Sequence, residues 1–263
     1  MQEFHAQVSR VKDLTHDVRE LELNLLAPDA IDFKAGQWIS LKVWHPGLNQ
    51  YVPRQYSIAS PPSQCHRINL LFNRVPDGPG SNYLFSLHEG DPVTFQGPNG
   101  SFLLQKKPGQ DLVFVATGTG IAPFRSMLST FLEEPEAGTL RLYWGLRSQR
   151  DLYYQHELEA LARRYPNFSY ITILSRSENG WKGAIGRVTT LVENQVASVS
   201  NVTFYLCGNG GMIRDTTAIV RKKGLCPIRT EQYYDKAGAG TDERVCPEST
   251  DKTGAANDCR VKL

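Results

Sequence analysis

The chain has 263 residues and a formal net charge of +2 at pH 7, with 29 basic side chains against 27 acidic ones, so no nucleic acid or other polyanion is demanded as a partner. Its length allows two ordinary domains with a well-buried core, and no apolar run approaches the roughly 20 residues that cross a bilayer. The N-terminus lacks the basic and apolar regions of a secretory signal, and an odd count of five cysteines argues against a disulfide framework, so a monomer of the reducing cytoplasm is the expectation.

Residues 1–106 read as strands and turns. Residues 21–25 and 37–43 alternate apolar and polar with period two, as half-buried strands do. Shorter strands are predicted at 68–72 and 92–95, and one short helix at 81–88. Turn signals recur at Pro61-Pro62, at 76–80, at 89–91 and at 97–100. Many short strands with this punctuation predict a small antiparallel β-barrel.

After a polar hinge at 106–110 the pattern changes. Residues 111–116 form a continuous apolar strand, and further strands are predicted at 140–144, 168–174 and 202–206. Helices are predicted between them, at 124–131, 152–165 and 187–193, with a last one at 212–223. Alternating strands and helices predict an α/β domain, residues 107–235, built on a parallel sheet. Residues 236–263 turn to Ala, Gly, Thr, Asp and Lys. They offer too little apolar surface to offset ordering entropy, so a flexible C-terminal tail is expected.

Four segments carry chemistry. Arg54-Gln55-Tyr56-Ser57 reads as a strand that offers a guanidinium, an aromatic face and a hydroxyl, with Arg54 and Tyr56 on one side and Ser57 on the other. Thr117-Gly118-Thr119-Gly120 follows an apolar strand and leads to Pro123. That proline breaks the G-x-G-x-x-G fingerprint but suits the first turn of a helix, whose amino end then lies beside the glycines. Cys207-Gly208 closes a strand five residues before Met212, and Glu231-Gln232-Tyr233-Tyr234 lies near the end.

In this order, over residues 4–235, these segments resemble the ferredoxin–NADP reductase family of flavoproteins. The resemblance implies FAD on the barrel, with Arg54 pairing with the diphosphate, Gln55 beside it, the Tyr56 ring packed on the isoalloxazine and Ser57 near flavin N5. It implies a diphosphate turn at Gly80-Ser81-Asn82, where Ser81 also suits a helix N-cap. Main chain at Asn73 would run along the flavin. Thr117, Gly118, Thr119, Gly120 and Pro123 would face the nicotinamide dinucleotide, with Gly145 and Arg147 beside it. Ser175 and Arg176 stand where NADPH-preferring relatives meet the 2′-phosphate, so NADPH is favoured and NADH remains open. Cys207, Gly208 and Met212 would lie at the transfer site. Glu231 and Tyr234 would complete it, with Tyr233 as the substitute for Tyr234, although 29 residues follow Tyr234. That leaves open whether Tyr234 gates the flavin, covers its adenine side or meets a partner.

The cysteines lack the spacing of a plant-type iron–sulfur cluster and the histidines show no metal pairing, so no metal is expected and any iron–sulfur acceptor is a separate molecule. The implied activity is hydride exchange between NAD(P)H and FAD, with single electrons passed to or from ferredoxin, flavodoxin or an oxygenase component. A reductase of diffusible flavin and a nucleotide-responsive binding module without useful turnover are the alternatives.

Overall fold

The barrel comes from six antiparallel strands. Among them β1 (Gln2–Asp13) buries Phe4, Ala6 and Val8 in strict alternation. Then follow β2 (Val18–Ala27), β3 (Trp38–His45), β4 (Gln50–Ser57), β5 (Arg67–Asn73) and β6 (Pro92–Asn99) in the order β4-β3-β6-β1-β2-β5. The sheet curls until Ile58, just past β4, bridges Leu70 on the opposite edge strand β5. That bridge, with the Ala59 amide donating to the Asn69 carbonyl at 2.8 Å, pins the two edges where they meet. These coordinates are a computed structural model that describes residues 1–105, 107, 109–133 and 138–234; the expected tail lies outside the described residues.

The short helix predicted inside the barrel is α1 (Pro79–Ser86), and its N-cap is Gly78 rather than Ser81. Proline at the first helical position starts the helix earlier than the hydroxyl residue suggests.

The second half is a parallel sheet. It comprises β7 (Asp111–Thr117), β8 (Leu140–Leu146), β9 (Phe168–Leu174), a two-residue β10 (Ala184–Ile185), β11 (Val202–Asn209) and β12 (Ile228–Tyr234), in the order β10-β9-β8-β7-β11-β12. Helices α2 (Ala122–Leu132), α3 (Gln155–Arg164), α4 (Val188–Gln195) and α5 (Gly210–Lys223) are interleaved between strands. Helix α3 begins three residues later than expected because Tyr154 sits in the left-handed region at φ 55°.

One apolar cluster joins the halves. Val18, Ala59, Leu71 and Phe102 of the barrel pack with Phe114, Phe124 and Met127 of the parallel sheet and its helix. Gly36, at φ +100°, allows this approach, since a Cβ there would lie 2.5 Å from Met127 Cε of the helix and would also meet the Phe102 carbonyl oxygen. Tyr205 staples the connection, donating to the Leu103 carbonyl at 3.2 Å and accepting the Gln105 amide at 2.8 Å. Among the described residues no helix is long and apolar enough to cross a membrane.

Candidate active site

The parallel sheet reverses its strand order at β7, which has β8 on one side and β11 on the other. Connections leave in opposite directions there, and a crevice opens at the carboxyl ends of the two strands. The predicted glycine turn (118–121) lies at the end of β7, and the Cys207-Gly208 turn at the end of β11. Their backbones touch. A Cβ on Gly120 would lie 2.4 Å from the Cys207 carbonyl oxygen, and one on Gly208, at φ +131°, would lie 2.3 Å from Thr117 Oγ1. That hydroxyl accepts the Asn209 amide at 3.0 Å, and Trp144 Nε1 donates to the Gly118 carbonyl at 3.0 Å. Gly145 lies beside Thr117 in the β7–β8 register, and Pro123 sits in the first turn of α2.

The barrel brings the end of β4 to this crevice. Ser57 is buried, and its hydroxyl donates to Glu231 Oε1 on β12 at 2.7 Å while accepting the Tyr233 hydroxyl, also at 2.7 Å. A register shift in β12 lets this happen. Gly208 pairs with Gln232 but Asn209 pairs with Tyr234, so Tyr233 is the extra residue of a bulge and is re-aimed. The sequence offers Tyr233 as the substitute for Tyr234, and Tyr233 makes this contact; the side chain of Tyr234 lies outside the described residues. Asn73 also reaches across, accepting the Thr119 hydroxyl at 3.2 Å.

Tyr56 packs edge-on to Phe72 with ring centroids 6.0 Å apart, and the Arg54 guanidinium donates to the Pro53 carbonyl at 2.8 Å. Both lie against Gly80 in the first turn of α1, where a Cβ would stand 2.5 Å from the Tyr56 hydroxyl and 3.0 Å from Arg54 Cγ. The β3–β4 register pairs Gln55 with Ser40 on β3. Ser81 is buried, and its hydroxyl bonds back to the Val75 amide and the Val75 and Gly78 carbonyls, which shapes the loop before α1. Asn82 is exposed. Beside it a cavity of about 500 Å³ is lined by Trp44, His45, Asp77, Asn82 and Tyr83 among others.

Cys207 is fully buried, between Ala116 on β7 and Glu231 on β12. Met212 is not brought to the crevice. Its side chain joins the core around α4 and α5, while its amide donates to Asn209 Oδ1 at 3.3 Å to cap α5. The ends of β8 and β9 run together, with Arg176 N donating to the Arg147 carbonyl at 2.7 Å and Ser175 N to the Leu146 carbonyl at 3.0 Å. Ser175, Arg147, Arg176 and Arg187 are all exposed on this rim.

Sequence reasoning also missed a polar junction between the halves. Arg125 on α2 forks onto Glu157 of α3 at 2.7 and 3.2 Å and lies 3.4 Å from Glu20 of β2. Burial opposes the Arg125 charge, but Tyr154, Glu157 and Glu20 together hold it even more firmly protonated than usual. Burial, joined by Glu20, pushes the Tyr154 phenol well above its ordinary value.

A six-stranded antiparallel barrel joined to a parallel sheet with a glycine turn at its switch point is the architecture of a pyridine-nucleotide-dependent flavoprotein. Comparison with known proteins agrees. A family model described as an oxidoreductase FAD-binding domain matches residues 5–103, and one described as an oxidoreductase NAD-binding domain matches residues 114–218. Ferredoxin–NADP reductase B of Sorangium cellulosum is 36% identical over 239 residues, 88% of this chain and 97% of that protein. The toluate 1,2-dioxygenase electron transfer component of Pseudomonas putida is 32% identical over 239 residues, 90% of this chain and 68% of that one. Among solved structures, the Amycolatopsis cytochrome P450 reductase GcoB superposes with a TM-score of 0.79 at 28% identity, covering 88% of this chain and 69% of that one. A Neisseria gonorrhoeae ferredoxin NADP+ reductase with bound FAD and NADP shares the fold, with a TM-score of 0.75 at 24% identity over 88% and 99% of the two chains.

The chain belongs to the ferredoxin–NADP reductase family. It is an FAD-dependent oxidoreductase that passes electrons between NAD(P)H and a carrier.

Proposed function

We propose that the barrel half, residues 1–106, retains FAD as a prosthetic group, that residues 107–235 admit NADPH in preference to NADH, and that the electrons go singly to a separate ferredoxin, flavodoxin or oxygenase component. The observation that carries this reading is the Ser57–Glu231 hydrogen bond, which joins the two halves at the mouth of the switch-point crevice. The donor set suits FAD. Arg54 is a guanidinium fork for a diphosphate, and Gly80 leaves Tyr56 and Arg54 pressed against the amino end of α1, where a side chain would intrude. The adenosine half has room in the cavity lined by Trp44 and Tyr83.

FAD, when bound, supplies the conversion between two-electron hydride chemistry and one-electron transfer. The chain's own residues bind, orient and exclude water. Tyr56 offers its ring face to the flavin, and Arg54 and Gln55 hold the phosphate side. Ser57 Oγ, fixed by Glu231 and Tyr233, keeps a proton beside the reacting edge, and the Glu231 carboxylate is the group that takes it up or returns it. Tyr233 occupies the space beside Ser57 and yields to the nicotinamide; we assign this gating role to Tyr233, with Tyr234 next to it on β12. Cys207, at the crevice floor, orients the nicotinamide without acting as a nucleophile. Thr117, Gly118, Thr119, Gly120 and Gly208 bring main chain to the dinucleotide, while Gly145, Arg147, Ser175 and Arg176 receive its ribose phosphate.

Anaerobic rapid mixing with NADPH and with NADH, followed by candidate ferredoxins, tests the proposal. Flavin bleaching faster with NADPH, then reoxidation by a ferredoxin, is the expected outcome. Bleaching by neither nucleotide would refute it.

A further inference from the structure

We propose that Glu20, Arg125 and Tyr154 form a positioning lock that sets the angle between barrel and parallel sheet, and with it the approach of nicotinamide to flavin; this rests on the flavin reading above. The three residues come from three elements. Glu20 lies on β2 of the barrel, Arg125 on α2, the helix that begins at the nucleotide turn, and Tyr154 immediately before α3. Arg125 Nη1 stands 3.4 Å from Glu20 Oε2, and its Nε and Nη2 are held by Glu157 on the sheet's own side. The same Nη1 reaches the Ala59 carbonyl at 3.5 Å, only two residues past Ser57. The Arg125 guanidinium also lies over the Tyr154 ring, 4.9 Å from its centroid, and the Tyr154 hydroxyl donates to Glu20 Oε2. One guanidinium therefore ties the helix that follows the Gly118–Gly120 turn to the segment that carries Ser57.

Two features mark this junction as directional. The side chains of Glu20 and Arg125 expose 13% and 23% of their surface, so water screens the pair little. Tyr154 is a non-glycine residue at φ 55°, a conformation that persists only where surroundings hold it. The apolar cluster shared by the halves supplies adhesion but no angle, because hydrophobic burial has no preferred direction. The Arg125–Glu20 ion pair and the Tyr154 hydroxyl on the same carboxylate do have one. Angle matters here, since a misplacement of about 1 Å between reacting groups costs about 100-fold in rate.

The test uses full-length flavoprotein mixed anaerobically with NADPH, reading FAD content, nucleotide Kd and the limiting rate of flavin reduction at saturation. Glu20→Gln removes the barrel's charge from the lock. Tyr154→Phe, the milder change, removes only the hydroxyl that reaches Glu20. Glu159→Gln is the control, because Glu159 is an exposed carboxylate of α3 that pairs with Arg163 and is no part of the lock. The limiting rate is expected to fall by about 10-fold or more in Glu20→Gln and in the same direction in Tyr154→Phe, with FAD content and nucleotide Kd held within about 2-fold. Glu159→Gln should keep a limiting rate close to the parent's. An unchanged limiting rate in both lock variants would overturn the inference. So would an equal loss in Glu159→Gln, or a loss expressed only as weaker nucleotide binding or released FAD. Failure of the parent protein to be reduced by either nucleotide would instead remove the flavin reading, and the lock with it, before any variant is compared.

Discussion

Ser57 and Glu231 are 174 residues apart in sequence, yet the Ser57 hydroxyl donates to the Glu231 carboxylate at 2.7 Å. Neither half can make this contact alone. Tyr233 adds a second bond to the same oxygen, so the serine proton has one defined direction, toward Glu231. Removing that order should disturb the chemical step more than binding. Ser57→Ala is expected to lower the limiting rate of flavin reduction roughly 10- to 100-fold while FAD stays bound. Rapid-mixing absorbance with a parallel FAD assay measures both, and a variant that simply loses FAD would contradict the expectation.

Arg176 bears on coenzyme choice. Its side chain is exposed at the carboxyl rim, next to Arg147 through a 2.7 Å backbone hydrogen bond. A charge-assisted hydrogen bond to a phosphate is worth about 1.5–3 kcal/mol, so Arg176→Ala should weaken NADPH about 10- to 100-fold and leave NADH little changed. Raising the ionic strength should narrow the parent's preference in the same way, because an exposed cation is screened by salt. Equal losses for both coenzymes would remove Arg176 from the 2′-phosphate site.

What the sequence made legible was local. The glycine turn, the R-x-Y-S strand and the order of strands and helices all follow from neighbours a few residues apart. The choice between Tyr233 and Tyr234 was hidden because it depends on a bulge in β12, and one residue of register decides which tyrosine meets Ser57. The Glu20–Tyr154 pair spans 134 residues and leaves no periodic trace. Met212 misled for a related reason. Its spacing from Cys207 fits the crevice, but the first turn of α5 directs the side chain into the core beside α4. The onset of α3 was misplaced because the left-handed φ of Tyr154 is fixed by tertiary contacts rather than by propensity.

Tyr154 also makes stability depend on alkaline pH. Burial lifts its phenol above the ordinary value of 10.0, with Glu20 adding to the shift and Arg125 opposing it. The folded chain then holds a proton that the unfolded chain releases. The contribution is complete below about pH 10 and is lost as pH rises toward the folded value. Thermal midpoints between pH 8 and 11 should therefore fall at the alkaline end. Tyr154→Phe should flatten that fall while starting lower at neutral pH, because the Glu20 carboxylate loses a donor, a change of about 1–3 kcal/mol. A variant with the parent's full alkaline slope would show that another group controls it.

Gly80 separates flavin binding from folding. It lies in the first turn of α1, where alanine is the better helix former by about 0.5–1 kcal/mol, so Gly80→Ala favours the helix itself. The added methyl, however, would stand 2.5 Å from the Tyr56 hydroxyl and 3.0 Å from Arg54 Cγ. A tyrosine ring pivots as a unit, so the clash tilts the face proposed to carry the isoalloxazine and displaces the guanidinium proposed for the diphosphate. Near-parent stability in the absence of flavin should accompany at least about 10-fold weaker FAD binding, the size of one lost charge-assisted hydrogen bond. Denaturant unfolding of the apoprotein and flavin titration measure the two quantities separately. If Gly80→Ala bound FAD as tightly as the parent, the cradle between α1 and β4 would not be where the diphosphate rests.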